Sequence, residues 1–520
     1  MYRLVLLLFC GTATVAQTSK PLHYQLELGS YVTPQRTYAQ RYAAPNLAEQ
    51  AEIPFWLRAN QYGIVPRGEN VPTLRAGIRV DYHGAPLTAL DSLRASHRRV
   101  DWGWGFDLVA NANGVNPDRS KPTDPVAVIL PEAYAKVRLR GIEGWAGRRR
   151  EVIGLTDSSL STGSYSWSGN AVPPLKIQFN TIGWVPLTRW LYINALYVQG
   201  WFEYDRFIKG SMLHQKALYL RLGKATGKIW LSGGMNHSVQ WGGNNESLPS
   251  AFIRNSQLPA SFHDYIDIVL GNSLGNRTVD TTKYSPFDAG NRIGNHLGTV
   301  DLGLELRGRR VSVFLYRQSI YEDGSLFYLI NIADGLHGAR FTNNRPNQGG
   351  FRLNRAVLEY LNTYSQGGSD FINEDASKRG RDNYFNHGQY RDGWSSYGRT
   401  IGTPFIAPAT DLPGHFPGSA FTNNNRVRVY HVGLSGQFSA RMGFIGKFSY
   451  SQNIGIYDAP FAQVATQFSG MFGLYSQLKW LGGTLLTTTT GYDQGDLYEN
   501  NLGFFVSLKR TGMIRSRFTR

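Results

Sequence analysis

Apolar and polar residues alternate one for one along much of this chain, and that period decides what it can become. From Leu74 to His83, Leu74, Ala76, Ile78, Val80 and Tyr82 oppose Arg75, Gly77, Arg79, Asp81 and His83. From Glu132 to Arg140, Ala133, Ala135, Val137 and Leu139 oppose Glu132, Tyr134, Lys136, Arg138 and Arg140. Val300, Leu302, Leu304 and Leu306 stand against Thr299, Asp301, Gly303, Glu305 and Arg307, and the run from Leu502 to Lys509 repeats the pattern. A period of two is that of a strand, whose successive side chains point to opposite faces. Beyond the N-terminus, no segment approaches the roughly 18 consecutive apolar residues of a membrane helix. Two architectures remain, a large soluble β protein or a membrane-spanning β-barrel.

Two features favour the barrel. The polar faces carry full charges and glycines at mid-strand, which suits a wet lumen. Aromatic residues, among them Trp102, Trp104, Trp184, Trp190, Trp201, Tyr204, Trp230, Tyr450, Trp480 and Tyr492, gather near strand ends, where barrels place their interfacial girdles. The expected fold is therefore all-β, a large transmembrane antiparallel barrel of about 18 strands, the number that about 28 residues per strand and connection allows. Three tracts break the rhythm, Asn244–Leu297, Tyr321–Gly350 and Gln366–Asn425. They are too long for hairpin turns and are expected on the external surface.

The N-terminus, MYRLVLLLFCGTATVAQT, places Arg3 before an apolar run and small residues before Gln17. This reads as a signal peptide over residues 1–16. The one cysteine of the chain, Cys10, lies inside it, so no disulfide framework is expected in the exported protein. Residues 17–53 are expected to form a small periplasmic element with a helix, and residues 54–520 the barrel.

Catalytic signatures are sparse. Gly271-Asn272-Ser273-Leu274-Gly275 has the spelling of a nucleophile elbow, with Ile266–Leu270 as its candidate strand, but no helical period follows it. The eleven histidines include no His-Glu-x-x-His, and glycine fingerprints for nucleotides are missing. The net charge is +17. Arg75, Arg79, Lys136, Arg138, Arg140, Arg221 and Arg307 fall on polar strand faces. They either pair with Asp81, Glu132, Asp301 and Glu305 or select anionic glycans and lipid head groups. The stretch GLTDSSLSTGSYSWSGNAVPPLKIQF, from Gly154 to Phe179, is crowded with Ser, Thr and Asn. Its hydroxyls and amides are expected inside the barrel, satisfying backbone groups and one another.

Four segments in order carry a resemblance: IPFWLRANQYGIVP from Ile53, DSSLSTGSYSWSGNAVPPLKI from Asp157, SMLHQKALYLRLG from Ser211 and GGMNHSVQWGG from Gly233. Together they resemble the capsule assembly protein Wzi family of Gram-negative outer membranes. The likeness is dense from about Pro54 to Gly243 and weaker beyond, through RAVLEYLNTYSQGG from Arg355. The resemblance implies a large outer-membrane barrel with a small periplasmic helical part. It also implies a non-catalytic, lectin-like anchor for capsular or related exopolysaccharide. The alternatives are a porin-like channel and an outer-membrane enzyme acting on glycan or lipid.

His214, Lys216, His237 and Trp241 fall in the resembling motifs, and Trp241 has the ring to stack on a sugar. Arg138 and Arg140 are candidates by charge. Tyr384, Tyr390, Trp394 and Tyr397, in NYFNHGQYRDGWSSYGR, are candidates by their place in an expected external loop. The expected partners are a surface polysaccharide and outer-membrane lipids, without nucleic acid. No cofactor or metal is expected, and the chain is expected to be a monomer.

Overall fold

The computed structural model describes residues 20–33, 53–67, 70–83, 100–112, 126–275, 277–322, 325–347, 349–370, 372 and 380–514. The expected signal peptide and Cys10 lie outside the described residues, as does most of the expected periplasmic helix.

The wall is one closed antiparallel sheet. Its strands are β1 (Leu22–Val32), β2 (Val71–Val80), β3 (Val100–Ala112), β4 (Val126–Leu139), β5 (Ile142–Arg148) and β6 (Leu175–Thr181). There follow β7 (Leu191–Trp201), β8 (Met212–Leu222), β9 (Ile229–Trp241), β10 (Asn295–Arg307), β11 (Val311–Glu322) and β12 (Gly335–Asn343). The last third holds β13 (Arg352–Asn362), β14 (Val427–Gln437), β15 (Met442–Gly455), β16 (Pro460–Leu478), β17 (Thr484–Gly495) and β18 (Asn501–Ile514). Val185–Pro186 prolongs the line of β6 against the same partner, β7. Each strand pairs with its sequence neighbours, and β1 closes on β18 from Leu22↔Ile514 to Val32↔Phe504. The eighteen strands thus form a barrel without free edges.

Alternation sorts the residues. Leu74, Ile78, Val137, Leu139, Leu302, Phe504 and Val506 face outward and are exposed, whereas Arg75, Lys136, Asp301 and Ser507 face the lumen. Outward-facing Trp102, Trp190, Trp201, Tyr450 and Tyr492 are exposed as girdle residues must be. Trp230 is a correction to the expected girdle. It lies on the inward face, buried against Tyr192 and under the guanidinium of Arg307. Lumenal tyrosines also lie over glycines of the facing strand. A Cβ on Gly338 would stand 2.1 Å from the ring of Tyr316, and one on Gly443 2.2 Å from that of Tyr475.

The rim holding the start of β1 and the end of β18 carries short turns, such as Arg140–Gly141 and residues 308–310 and 438–441. The other carries residues 149–174, 202–211, 242–294 and 363–426. Barrels of this kind keep short turns in the periplasm and long connections outside, so the second rim is external.

Three segments depart from expectation. Residues 20–33 lie within the expected periplasmic segment but contain β1, because Leu26 and Leu28 alternate with Gln25 and Glu27. The barrel therefore begins before Pro54. The short helix α1 (Phe55–Arg58) is in the lumen, where the Phe55 N–H donates to Asp493 Oδ2 at 2.7 Å and Trp56 Nε1 to Ser449 Oγ at 3.1 Å. The tract Tyr321–Gly350 is not one loop, since β12 divides it between the two rims. Ile266–Leu270 is helix rather than strand, the end of α2 (Phe262–Leu270), capped by a Ser261/Asp264 box and by Gly271 at φ 71°. A helix precedes Ser273, and its Oγ donates to the carbonyl of Asn291 at 3.1 Å. That geometry is a loop, not a nucleophile elbow.

Candidate functional site

Inward-folded connections fill the lumen. In the Ser-rich stretch, Ser161 Oγ and the Thr162 N–H both donate to Glu359 at 2.6 Å. Tyr165 OH donates to Glu322 at 2.6 Å, and Ser166 Oγ to Asn236 Oδ1 at 2.9 Å. The expectation for this stretch holds, on a larger scale than a turn: it crosses the lumen instead of lining it.

Residues 380–426, expected as external loop, fold down onto that stretch. Trp394 Nε1 donates to the Ser166 carbonyl at 2.8 Å, Ser168 Oγ to that of Gly402 at 2.6 Å and Asn170 Nδ2 to that of Thr400 at 3.0 Å. Tyr384, Tyr390 and Trp394 are consequently buried. The OH of Tyr384 donates to Asp334 at 2.9 Å and that of Tyr390 to the Gly242 carbonyl at 3.3 Å. None of the three presents a ring to an external ligand.

The other candidates are dispersed. Arg138 is lumenal, donating to Asp101 at 3.2 Å and to the His83 carbonyl at 2.9 Å. Arg140 sits exposed in a periplasmic turn at φ 55°. His214, Lys216, His237 and Trp241 point away from the lumen, because they share the face of exposed Leu218 and Met235. The connection 242–294 folds back over them. Tyr265 of α2 approaches His214 Nδ1 at 3.3 Å, and Lys216 Nζ donates to the Val269 carbonyl. His237 Nε2 and His296 Nδ1 are 2.9 Å apart. Trp241 is buried beside Tyr265, ring centroids 5.2 Å apart, and is closed to sugar stacking.

Tyr397 alone among the candidates borders a cavity at the external mouth. This pocket, of about 430 Å³, is lined by Glu203, Asp205, Arg206, Arg391, Asp392 and Tyr397, with Phe421 and small residues of 395–420 completing it. Arg206 is buried and builds one wall, donating to Glu203 at 2.9 Å, to the Ser395 carbonyl at 2.8 Å and to that of Gly393 at 3.1 Å. The Tyr397 N–H donates to the same Glu203 oxygen at 2.9 Å, while Glu203 Oε2 is buried without a partner. Arg391 is exposed, its guanidinium 4.9 Å from the ring of Phe207. The size is ordinary for a small-ligand site. Sequence reading missed Glu203, Asp205, Arg206, Arg391 and Asp392. For Glu203, Asp205 and Arg206 the signal was the dense charge and aromatic mixture of FEYDRF, concealed by the strand rhythm on either side, and Arg391 and Asp392 sat in the loop already singled out for its tyrosines. Among the described residues no group of three or more His, Cys, Asp and Glu is placed to hold a metal.

Fold and site define a class, the outer-membrane β-barrel stoppered by its own external connections. The sequence profile of the capsule assembly protein Wzi family matches residues 31–412, and the chain belongs to that family. Comparison with the curated proteins returns no match. Among solved structures the chain is similar to Wzi of Escherichia coli, an outer-membrane protein involved in group 1 capsule assembly and described as a carbohydrate-binding β-barrel. Identity is 12%, 93% of this chain and 84% of that one are covered, and the TM-score is 0.52. At that identity the likeness establishes the shared fold. Acinetobacter baumannii OccAB4 (11% identity, 96% and 99% covered, TM-score 0.46) and a BenF-like porin of Pseudomonas fluorescens Pf-5 (9%, 95% and 98%, 0.44) are also similar.

Proposed function

We propose that this protein is a non-catalytic, lectin-like component of the outer membrane that holds capsular or related exopolysaccharide at the cell surface. The observation that carries the reading is the external pocket built on a stoppered lumen. A barrel packed with its own chain is poorly suited to transport, and the same packing holds the floor of the pocket rigid. Arg391 suits acidic sugar groups, Asp205 and Asp392 suit sugar hydroxyls, and Tyr397 offers part of a ring face over a wall fixed by Arg206 and Glu203. Tyr384, Tyr390 and Trp394 act beneath the pocket as positioning residues. The chain works as a monomer, and the carbohydrate binding described for Wzi of Escherichia coli supports the substrate class.

The test is retention of surface glycan after gene deletion and plasmid restoration. Polysaccharide is expected to move from cells to medium with total synthesis unchanged. Arg391→Ala with Tyr397→Leu is expected to restore the barrel but not attachment. Attachment unchanged by deletion overturns the reading. Sustained conductance of the folded protein in planar bilayers would favour the channel.

A further inference from the structure

The outer wall carries a feature that neither the stoppered lumen nor the external pocket requires. A shallow trough of about 1300 Å³ crosses nine strands, from β8 to β16. Leu220, Leu222, Leu302 and Leu315 line one end, and Tyr360, Tyr430, Tyr450 and Phe468 the other. It lies on the lipid side. Leu358 and Tyr360 flank Glu359, whose carboxylate binds the filling of the lumen, so alternation turns both neighbours outward. Outward Gly233 and Ala339 contribute to its depth, since neither raises a side chain of any length from the floor.

Two basic side chains stand between the leucine and tyrosine ends. Arg317 and His337 are direct cross-strand partners. Arg317 Nη2 donates to the carbonyl of Ile332, in the external connection 325–334, which holds the guanidinium toward the outer leaflet. Its Nε is buried without a partner, and among the described residues no carboxylate pairs with it. The connection above is itself apolar toward the membrane, with Phe327, Leu329 and Ile332 exposed. A cation on a lipid-facing surface is costly unless an anion meets it. An arginine fork fits phosphate in particular.

We propose that the trough seats a phosphorylated, multiply acylated glycolipid of the outer leaflet. Arg317 and His337 hold a phosphate, and the acyl chains lie across the leucine and tyrosine faces. Position favours this occupant over a lipid of the inner leaflet, because Arg317 is tied to the external connection and His337 is the third residue of β12 from the external rim, where the outer leaflet presents its phosphates. The proposal is independent of the glycan reading.

The experiment uses the full-length protein placed in nanodiscs with equal amounts of phosphorylated glycolipid and phosphatidylglycerol, then exchanged into detergent. Retained lipid is counted by native mass spectrometry on preparations that show heat-modifiable gel mobility. Wild type is expected to keep the glycolipid. Arg317→Ala with His337→Ala is expected to keep it less by about fivefold or more. Ala339→Trp, which fills the trough beside Arg317 and His337 while keeping both, is expected to lose it similarly, and Arg441→Ala in a periplasmic turn to retain it. Wild type that holds no lipid, or phosphatidylglycerol equally, overturns the proposal, as does full retention by the double variant. Should that variant not fold, Ala339→Trp decides.

Discussion

The lumen is filled in two chemically different ways. On the side of β1–β6 it is ionic. Asp107 pairs with Arg75 at 3.0 Å and with Arg150, and Asp101 with Lys20 at 2.5 Å and Arg138 at 3.2 Å. Asp81 meets Lys136 at 3.1 Å, and Glu143 meets Arg149 at 2.6 Å. On the side of β9–β13 ion pairs such as Arg307–Glu305 and Arg355–Asp157 stay near the periplasmic rim, and the filling above them is largely neutral. Asn236 Nδ2 donates to Thr299 Oγ1 at 2.8 Å, and the carboxylates of Asp301 and Glu359 are held by amides and hydroxyls without a cation. Water explains the division. The ionic side opens into a recess of about 400 Å³ lined by His23, Gln25, Arg79, Asp107, Glu132 and Tyr134. There, solvent lowers the desolvation penalty of each charge. The neutral side lies under aromatic packing, where paired amides and hydroxyls cost less than ions.

Removing one group from each side sharpens the contrast. Glu359→Ala strands Ser161, the Thr162 N–H and Tyr316, which donate to it at 2.6, 2.6 and 2.5 Å. At about 1–3 kcal/mol for each orphaned donor, the loss should reach about 4 kcal/mol. Thermal unfolding monitored in detergent should drop accordingly, and bilayer conductance should rise as the filling loosens. A loss below about 1 kcal/mol would mean that water already reaches these donors. Asp107→Asn on the ionic side keeps its hydrogen bonds to Arg75 and Gln25 in part. It should cost only about 1–2 kcal/mol, less again in high salt. Equal losses from the two substitutions at both salt concentrations would erase the distinction between the sides.

The smallest effect concerns pH. His387, in the inward-folded connection, packs against Phe287 and Tyr390, and burial lowers its pKa to about 4. Its Nδ1 also accepts the N–H groups of Gln389 at 3.2 Å and Tyr390 at 3.3 Å, which a proton there would displace. The unfolded segment binds a proton near the ordinary value of about 6.5. The stability present above that value is therefore lost as pH falls toward 4. Hydrogen exchange across residues 384–394 should be faster at pH 5 than expected from intrinsic rates, and His387→Gln should flatten the difference. An unchanged profile in that variant would place the pH response elsewhere.

The wall was legible in the sequence because a lipid-facing strand has no choice but to alternate, and the strand count followed from chain length. The Ser-rich stretch was legible too, since so many short polar side chains beside a lumen can satisfy only one another. The site was mostly not. Tyr384, Tyr390 and Trp394 have the composition of a binding loop, and their burial depends on contacts such as Trp394 with Ser166 and Gly402 with Ser168, which span more than two hundred residues. His214 and Trp241 look like ligand residues until a helix from the next connection is seen to cover them. Polar tracts in a barrel have two homes, outside or inside, and local pattern does not distinguish them.

The position of α1 has a consequence for the order of assembly. It follows β1 directly, yet its neighbours are on the last strands: Leu57 lies against Gly491 of β17 and Pro54 against Gly503 of β18. The stretch 149–174 is likewise held by β11 and β13, which are made much later. Among the described residues, the seam between β1 and β18 joins the strands most distant in sequence. The interior around α1 is therefore complete only when the C-terminal strands are present, as a clapper needs the whole bell around it.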